Sequence, residues 1–159
     1  MSKSKDKTNV MRLLDQKKIE YIPYTYETDG SLTGQDVAHI LQKDESTVFK
    51  TLVTQGKSKN HYVFVIPVAK ELNLKKASQA VGEKSISMVK SKDLLDLTGY
   101  IHGGCSPIGM KKFFTTTFDI TAQNLETITF SAGKIGYQVE LLTKSLSKII
   151  KLQYFDLCD

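Results

Sequence analysis

Seven consecutive residues, Gly103-Gly104-Cys105-Ser106-Pro107-Ile108-Gly109, place three glycines and a proline between two apolar, β-prone segments. Glycine admits positive φ and lets another molecule come close to the main chain, while Pro107 fixes its own φ and keeps Ser106 extended. The product is a stiff loop rich in exposed amides. Such a loop is either a tight turn between strands or the wall of a ligand site. A second stretch of the same character, Ser131-Ala132-Gly133-Lys134-Ile135-Gly136, follows the strand-like run Thr127-Ile128-Thr129-Phe130. Two loops of this kind can face one pocket.

The segments around these loops alternate irregularly between strand and helix patterns. Thr8 is placed to cap a helix carrying Val10, Leu13 and Leu14 on one face, and Ile19–Tyr26 turns toward strand character with Pro23 marking an edge. Thr33-Gly34-Gln35-Asp36 has the form of a capping sequence for a helix through Val37, Ile40 and Leu41. Val48–Thr54 and His61–Pro67 read as a central hairpin around a loose basic loop. Leu74–Val81 is predicted helical with a stop at Gly82, Ile86–Val89 as a short strand, and Ser91 as the cap of a helix ending at Gly99. Three further strands are expected at Phe113–Ile120, Thr127–Phe130 and Tyr137–Leu141, and Thr143 is expected to cap a last helix carrying Leu146, Ile149 and Ile150. This order predicts an α+β domain on a mixed, curled, barrel-like β-sheet with flanking short helices.

With 159 residues, 40% of them hydrophobic, the chain fits a single domain over 1–159. The apolar run Tyr62–Val68 is far short of the ~20 residues that cross a bilayer, and the polar, lysine-rich Met1–Thr8 lacks the apolar stretch of a secretory signal. The expected location is therefore cytoplasmic. Cys105 and Cys158 lack CxxC spacing and form no metal-ligand pattern with His39, His61 and His102. His102 beside Cys105 raises a nucleophile-and-base pair, although neighbours on a glycine loop seldom aim at one another.

The net charge of +5 comes almost wholly from lysine, Arg12 being the one arginine. Lysine is a point charge suited to phosphate, whereas base reading in a groove leans on arginine's planar fork. The balance fits a protein that binds a polyanion backbone, or simply a solvated surface. Lys50 is more specific. In Val48-Phe49-Lys50-Thr51-Leu52-Val53 it shares a strand face with apolar Val48 and Leu52. A lysine there either snorkels past an edge or projects into a pocket that holds an anion or polarises an ester carbonyl.

Taken together, these residues resemble the YbaK family of aminoacyl-tRNA deacylases, relatives of the editing domain of bacterial prolyl-tRNA synthetases. The likeness spans nearly the whole chain. It is carried by Tyr24-Thr25-Tyr26-Glu27, Phe49-Lys50-Thr51-Leu52, Pro67-Val68-Ala69 with Leu74-Lys75-Lys76, the first glycine loop with Lys111-Lys112, and the second loop. The resemblance implies a small domain that hydrolyses the ester joining cysteine to proline tRNA, with no metal or dissociable cofactor. By the same likeness Lys50 is the essential lysine and Tyr26 a tyrosine at the pocket mouth. Gly103, Gly104, Ser106, Pro107 and Gly109 belong to the loop around the aminoacylated terminal adenosine, and Ser131, Gly133 and Lys134 to the second loop. Prolyl-tRNA synthetase is the implied partner, because the chain has no obvious module of its own for reading tRNA.

An aminoacyl ester is already activated, so positioning and oxyanion stabilisation suffice to cleave it, and the family is thought to draw on the substrate's own thiol. No triad is then needed, and Cys105 becomes a variable loop residue. Two departures stand out. Ala132 replaces a frequent glycine, and Gln138 stands where some members carry aspartate, so a neutral amide faces the substrate ammonium. Glu140, two residues on, lies too far along to replace it. Other readings are a deacylase of sister specificity such as alanyl-tRNA(Pro), a non-catalytic binder of tRNA or synthetase, and a nucleotide-phosphate domain, which lacks Walker or dinucleotide spacing.

Overall fold

The computed structural model describes residues 7–159, so Met1–Asp6, the bulk of the lysine-rich start, lies outside the described residues. Helix α1 (Asn9–Gln16) begins where the Thr8 hydroxyl accepts from the Met11 N–H, and it buries Val10, Met11 and Leu14. Helix α2 (Gly34–Ile40) has the full capping box: Thr33 accepts from the Asp36 N–H while the Asp36 carboxylate accepts from the Thr33 N–H. Helix α3 (Leu74–Val81) stops at Gly82 and α4 (Ser91–Thr98) at Gly99, both glycines lying in the left-handed region.

Among the described residues there are eight strands: β1 (Ile22–Thr25), β2 (Phe49–Gly56), β3 (His61–Pro67), β4 (Ile86–Met88), β5 (Thr115–Asp119), β6 (Thr127–Ser131), β7 (Tyr137–Leu142) and β8 (Gln153–Phe155). They form two sheets, ordered β1-β7-β6 and β4-β2-β3-β5-β8. The second is mixed, since β5 runs parallel to both β3 and β8 while β2 is antiparallel to β3 and β4. No closed barrel forms among the described residues. Pro23 sits on β1, which pairs only with β7, so its missing N–H costs the ladder nothing.

The two sheets pack face to face over a core holding Val63, Val65, Phe118, Ile128, Phe130 and Val139, all fully buried. Phe118 of β5 meets Phe130 of β6 edge to face, ring centres 6.5 Å apart. At one point the sheets also join through the main chain, where Val48 and Thr129 make a parallel bridge. Beyond that bridge β2 and β6 part. The parting positions the site.

Three local expectations change. The N-cap of α4 is Lys90, without a side-chain bond, and Ser91 is already helical. The Val89 N–H donates to the Val53 carbonyl, which holds the chain against β2 up to that point and leaves Lys90 as the turning residue. Thr143 caps no α-helix: Thr143–Lys148 is a 3-10 helix, entered from Leu142, that fills the short path toward β8. The segment before the first glycine loop is the end of α4 rather than a strand, and Phe113 is exposed ahead of β5.

Candidate active site

A cavity of about 470 Å³ opens where β2 and β6 separate. Lys50 and Ser131 each lie two residues past the Val48–Thr129 bridge, and both line it. Tyr26, Gln138, Gly103, Cys105 and Ile135 line it as well, so both glycine loops reach the cavity. The loops also touch. A Cβ on Gly104 would fall 3.1 Å from the Ile135 backbone nitrogen, so close an approach that only glycine fits without a shift. Gly103, at φ +89°, turns the chain toward the cavity in a conformation that side-chain-bearing residues rarely adopt.

The other residues expected at the site stand behind this wall. Ser106 and Pro107 are buried, and the Ser106 hydroxyl accepts from the Ile108 N–H. Gly133 backs onto the ring of Tyr100 and Gly109 onto its hydroxyl, which donates to the Ile108 carbonyl. Tyr100 is thus a strut under both loops. The Lys134 ammonium lies over the Tyr137 ring, 5.1 Å from its centre. Gly104, Ser106, Pro107, Gly109, Gly133 and Lys134 do not line the cavity.

The electrostatics are sparse. The Lys50 side chain is 32% exposed, and its nearest carboxylate, on the almost fully exposed Glu71, is 3.9 Å away, too loose to neutralise it. Gln138, 7% exposed, donates its amide to the Tyr26 hydroxyl at 3.2 Å, while its Oε1 is buried with no hydrogen-bond partner. Burial pushes the Tyr26 phenol above its ordinary value, against the opposing hydrogen bonds from Gln138 and Gly136, so it stays neutral. Tyr26 is further fixed by its N–H, which donates to the Gly136 carbonyl at 3.0 Å.

Glu140 is committed elsewhere, accepting from the Tyr24 hydroxyl at 2.6 Å and the Lys43 ammonium at 2.7 Å. Burial alone would raise the Glu140 carboxyl, yet the hydrogen bonds from Lys43 and Tyr24 outweigh it and hold the group below the usual range. Cys105 is buried and its thiol is pushed up to about 12 by that burial, which leaves almost no thiolate for nucleophilic attack. Among the described residues no group of three His, Cys, Asp or Glu side chains gathers to hold a metal ion, and no helix is long and apolar enough to cross a membrane.

Much of the remaining wall had no sequence signal. Thr28, residues 30–34 and Val37 line one part of it, and Met88, Val89, Ser91 and Leu94 another. Gly34, read from sequence only as part of a capping motif, packs so tightly that a Cβ there would lie 2.6 Å from the Val68 side chain.

Residues 28–149 match the family described as "Aminoacyl-tRNA editing domain". The chain belongs to this family. It is 42% identical over 156 residues to "Putative Cys-tRNA(Pro)/Cys-tRNA(Cys) deacylase EbsC" of Enterococcus faecalis, with 98% of this chain and 95% of the relative covered. It is also 26% identical to a proline–tRNA ligase of Kosmotoga olearia over 77% of this chain and 20% of that longer protein. Among solved structures, "a putative trans-editing enzyme for prolyl tRNA synthetase" superposes with a TM-score of 0.80 at 19% identity, covering 96% of this chain and 98% of the other. At that identity the likeness carries the fold. The editing family is one of hydrolases, and its substrate class, aminoacyl-tRNA, agrees with a cavity that pairs one lysine with two amide-bearing bends.

Proposed function

We propose that this chain is a single-domain, free-standing deacylase that hydrolyses the ester of cysteine mischarged on tRNA(Pro), acting in trans in the cytoplasm. The observation that carries this reading is the gathering of Lys50, Tyr26, Gln138 and both glycine bends around one cavity, in a chain 42% identical to a protein named for that activity.

In this reading the Lys50 ammonium faces the ester carbonyl and stabilises the developing oxyanion, aided by the loop amides near Gly103 and Ser131. The free Gln138 oxygen accepts from the substrate ammonium, with Tyr26 holding the amide in place. Gly104, Ser106, Pro107, Gly109, Gly133 and Lys134 keep the two bends in shape around the terminal adenosine. Either the substrate's thiol attacks its own carbonyl, closing a thiolactone as the ribose oxygen leaves with the thiol's proton and water later opens the ring, or water attacks directly, because Cys105 cannot serve. Selection of the tRNA body falls to a partner, and the kinship with proline–tRNA ligases supports prolyl-tRNA synthetase in that role.

A sister specificity, alanyl-tRNA(Pro), draws support from the apolar inner wall of Val53, Val89, Leu94 and Cys105, which suits a methyl side chain. A deacylation panel with cysteinyl-, alanyl- and seryl-tRNA(Pro) separates the two. Lys50→Ala is expected to leave the fold intact, since the side chain is a third exposed, and to abolish ester release. Full turnover in that variant would overturn the assignment.

A further inference from the structure

The cavity takes in every residue of Val48–Val53, although neighbours on a strand face opposite ways. It therefore runs along the edge of β2 rather than over one face. The register explains why that edge is free. Val68 N–H donates to the Val48 carbonyl and Gly56 N–H to the Asn60 carbonyl, so the even-numbered main-chain groups of β2 turn toward β3. The odd-numbered ones turn the other way. There β4 pairs only with Thr54–Gly56, Val89 reaches back to Val53, and β6 touches at Val48. Among the described residues, no strand lies beside Thr51.

The Thr51 side chain has the same loneliness. Its face is that of Phe49 and Val53, both in the main core, whereas Lys50 and Leu52 point to the other side. Its Oγ1 is buried and has no hydrogen-bond partner. Four other residues of the cavity wall are apolar or weakly polar and share its core: Val53, Leu94 and Cys105 belong to the main core and Val89 packs against it. A buried hydroxyl without a partner is costly, and here it stands in a wall lined by a second unpartnered group, the Gln138 oxygen. Two orphaned polar atoms in one cavity mark two points that a ligand satisfies.

Resting on the deacylase reading above, we propose that Thr51 reads the side chain of the esterified amino acid: its hydroxyl meets a small side chain bearing one weak donor, a thiol above all. A cysteine side chain fits the apolar end and its S–H points at Thr51 Oγ1. An alanine side chain fits equally well and leaves the hydroxyl unpaired, while a charged one meets only Val53, Val89, Leu94 and Cys105. Thr51 is thus a specificity residue beside the Lys50 that handles the carbonyl. The unpaired main-chain groups of Thr51 lie at the same place and hold the backbone end of the aminoacyl group against the strand edge.

The test compares kcat/KM on cysteinyl- and alanyl-tRNA(Pro) for the full chain and two variants. Thr51→Val keeps the shape and removes the hydroxyl. It is expected to lower the ratio of cysteine to alanine turnover about fivefold to tenfold, the loss associated with one neutral hydrogen bond. Thr51→Ser is expected to keep that ratio within about twofold of the parent, as the hydroxyl is retained. An unchanged ratio in Thr51→Val, or an equal fall on both esters, overturns the proposal. So does a melting temperature for Thr51→Val well below the parent, because it would mean that the hydroxyl serves the fold. If the parent chain hydrolyses neither ester, the deacylase reading itself fails; if it is active and the ratio stays put, only the role of Thr51 does.

Discussion

Gln138 of β7 donates one side-chain N–H to the hydroxyl of Tyr26, just past β1, at 3.2 Å, and leaves its buried carbonyl oxygen without a partner. In the proposed deacylase the phenol thereby sets which end of the amide is left for the substrate. Tyr26→Phe removes the acceptor and frees the amide to turn, so kcat/KM on cysteinyl-tRNA(Pro) is expected to fall about fivefold to tenfold, with the loss mainly in KM. Gln138→Glu is expected to lower KM instead, since a carboxylate attracts the substrate ammonium more strongly than an amide does. Steady-state kinetics on both variants checks the pair, and a fall in kcat alone for Tyr26→Phe would contradict it.

Tyr100 supports both glycine loops through one hydroxyl and one ring. Tyr100→Phe keeps the ring and strands the buried Ile108 carbonyl, at an expected cost of about 1–3 kcal/mol. Chemical denaturation measures the stability, and activity is expected to fall with it although Tyr100 is not among the residues lining the cavity.

Gly104→Ala drives a methyl group to 3.1 Å from the Ile135 backbone nitrogen, where no flexible side chain can yield. The two loops must separate, with an expected loss of about 1–3 kcal/mol and a clear loss of activity. Gly30→Ala serves as the comparison: it carries a strain of positive φ that Gly104→Ala does not, but its Cβ would meet only the tip of Ile135 at 3.8 Å, so its effect on activity is expected to be smaller.

Alkaline pH should weaken the fold through two buried groups. Burial pushes the Cys105 thiol up to about 12 from an ordinary 9.0, and the Tyr100 phenol up to about 12 from 10.0. The unfolded chain therefore loses these protons first. Their contribution to stability is fully present below about pH 9 and drains away as pH climbs toward 12. Urea midpoints at pH 8 and pH 10.5 are expected to differ in that direction, and Cys105 is expected to resist thiol labelling at pH 8 in the folded protein.

Local chemistry made much of this architecture legible from residues alone. Thr33 and Asp36 announce α2 with both halves of a capping box, and Gly82 ends α3 where the apolar spacing ends. The hairpin β2–β3 follows from two β-branched runs around a polar loop. What escaped was non-local. Gln153–Phe155 is only three residues long and becomes a strand because β5 offers a free edge. Ser91 loses the cap to Lys90 because Val53, far off in sequence, holds Val89. The same holds at the site. Strand alternation singled out Lys50 and the glycine pattern drew attention to both loops, whereas the backing of Gly109 and Gly133 by Tyr100 depends on chain segments that meet only after folding.

The seam between the sheets has a mechanical consequence. With the sheets joined at Val48 and Thr129, two residues from both Lys50 and Ser131, the spacing of those two side chains is pinned close to the joint, where a shift of one sheet against the other changes it least. Substitutions in the packing between Phe118 and Phe130 are thus expected to cost stability before they disturb that spacing.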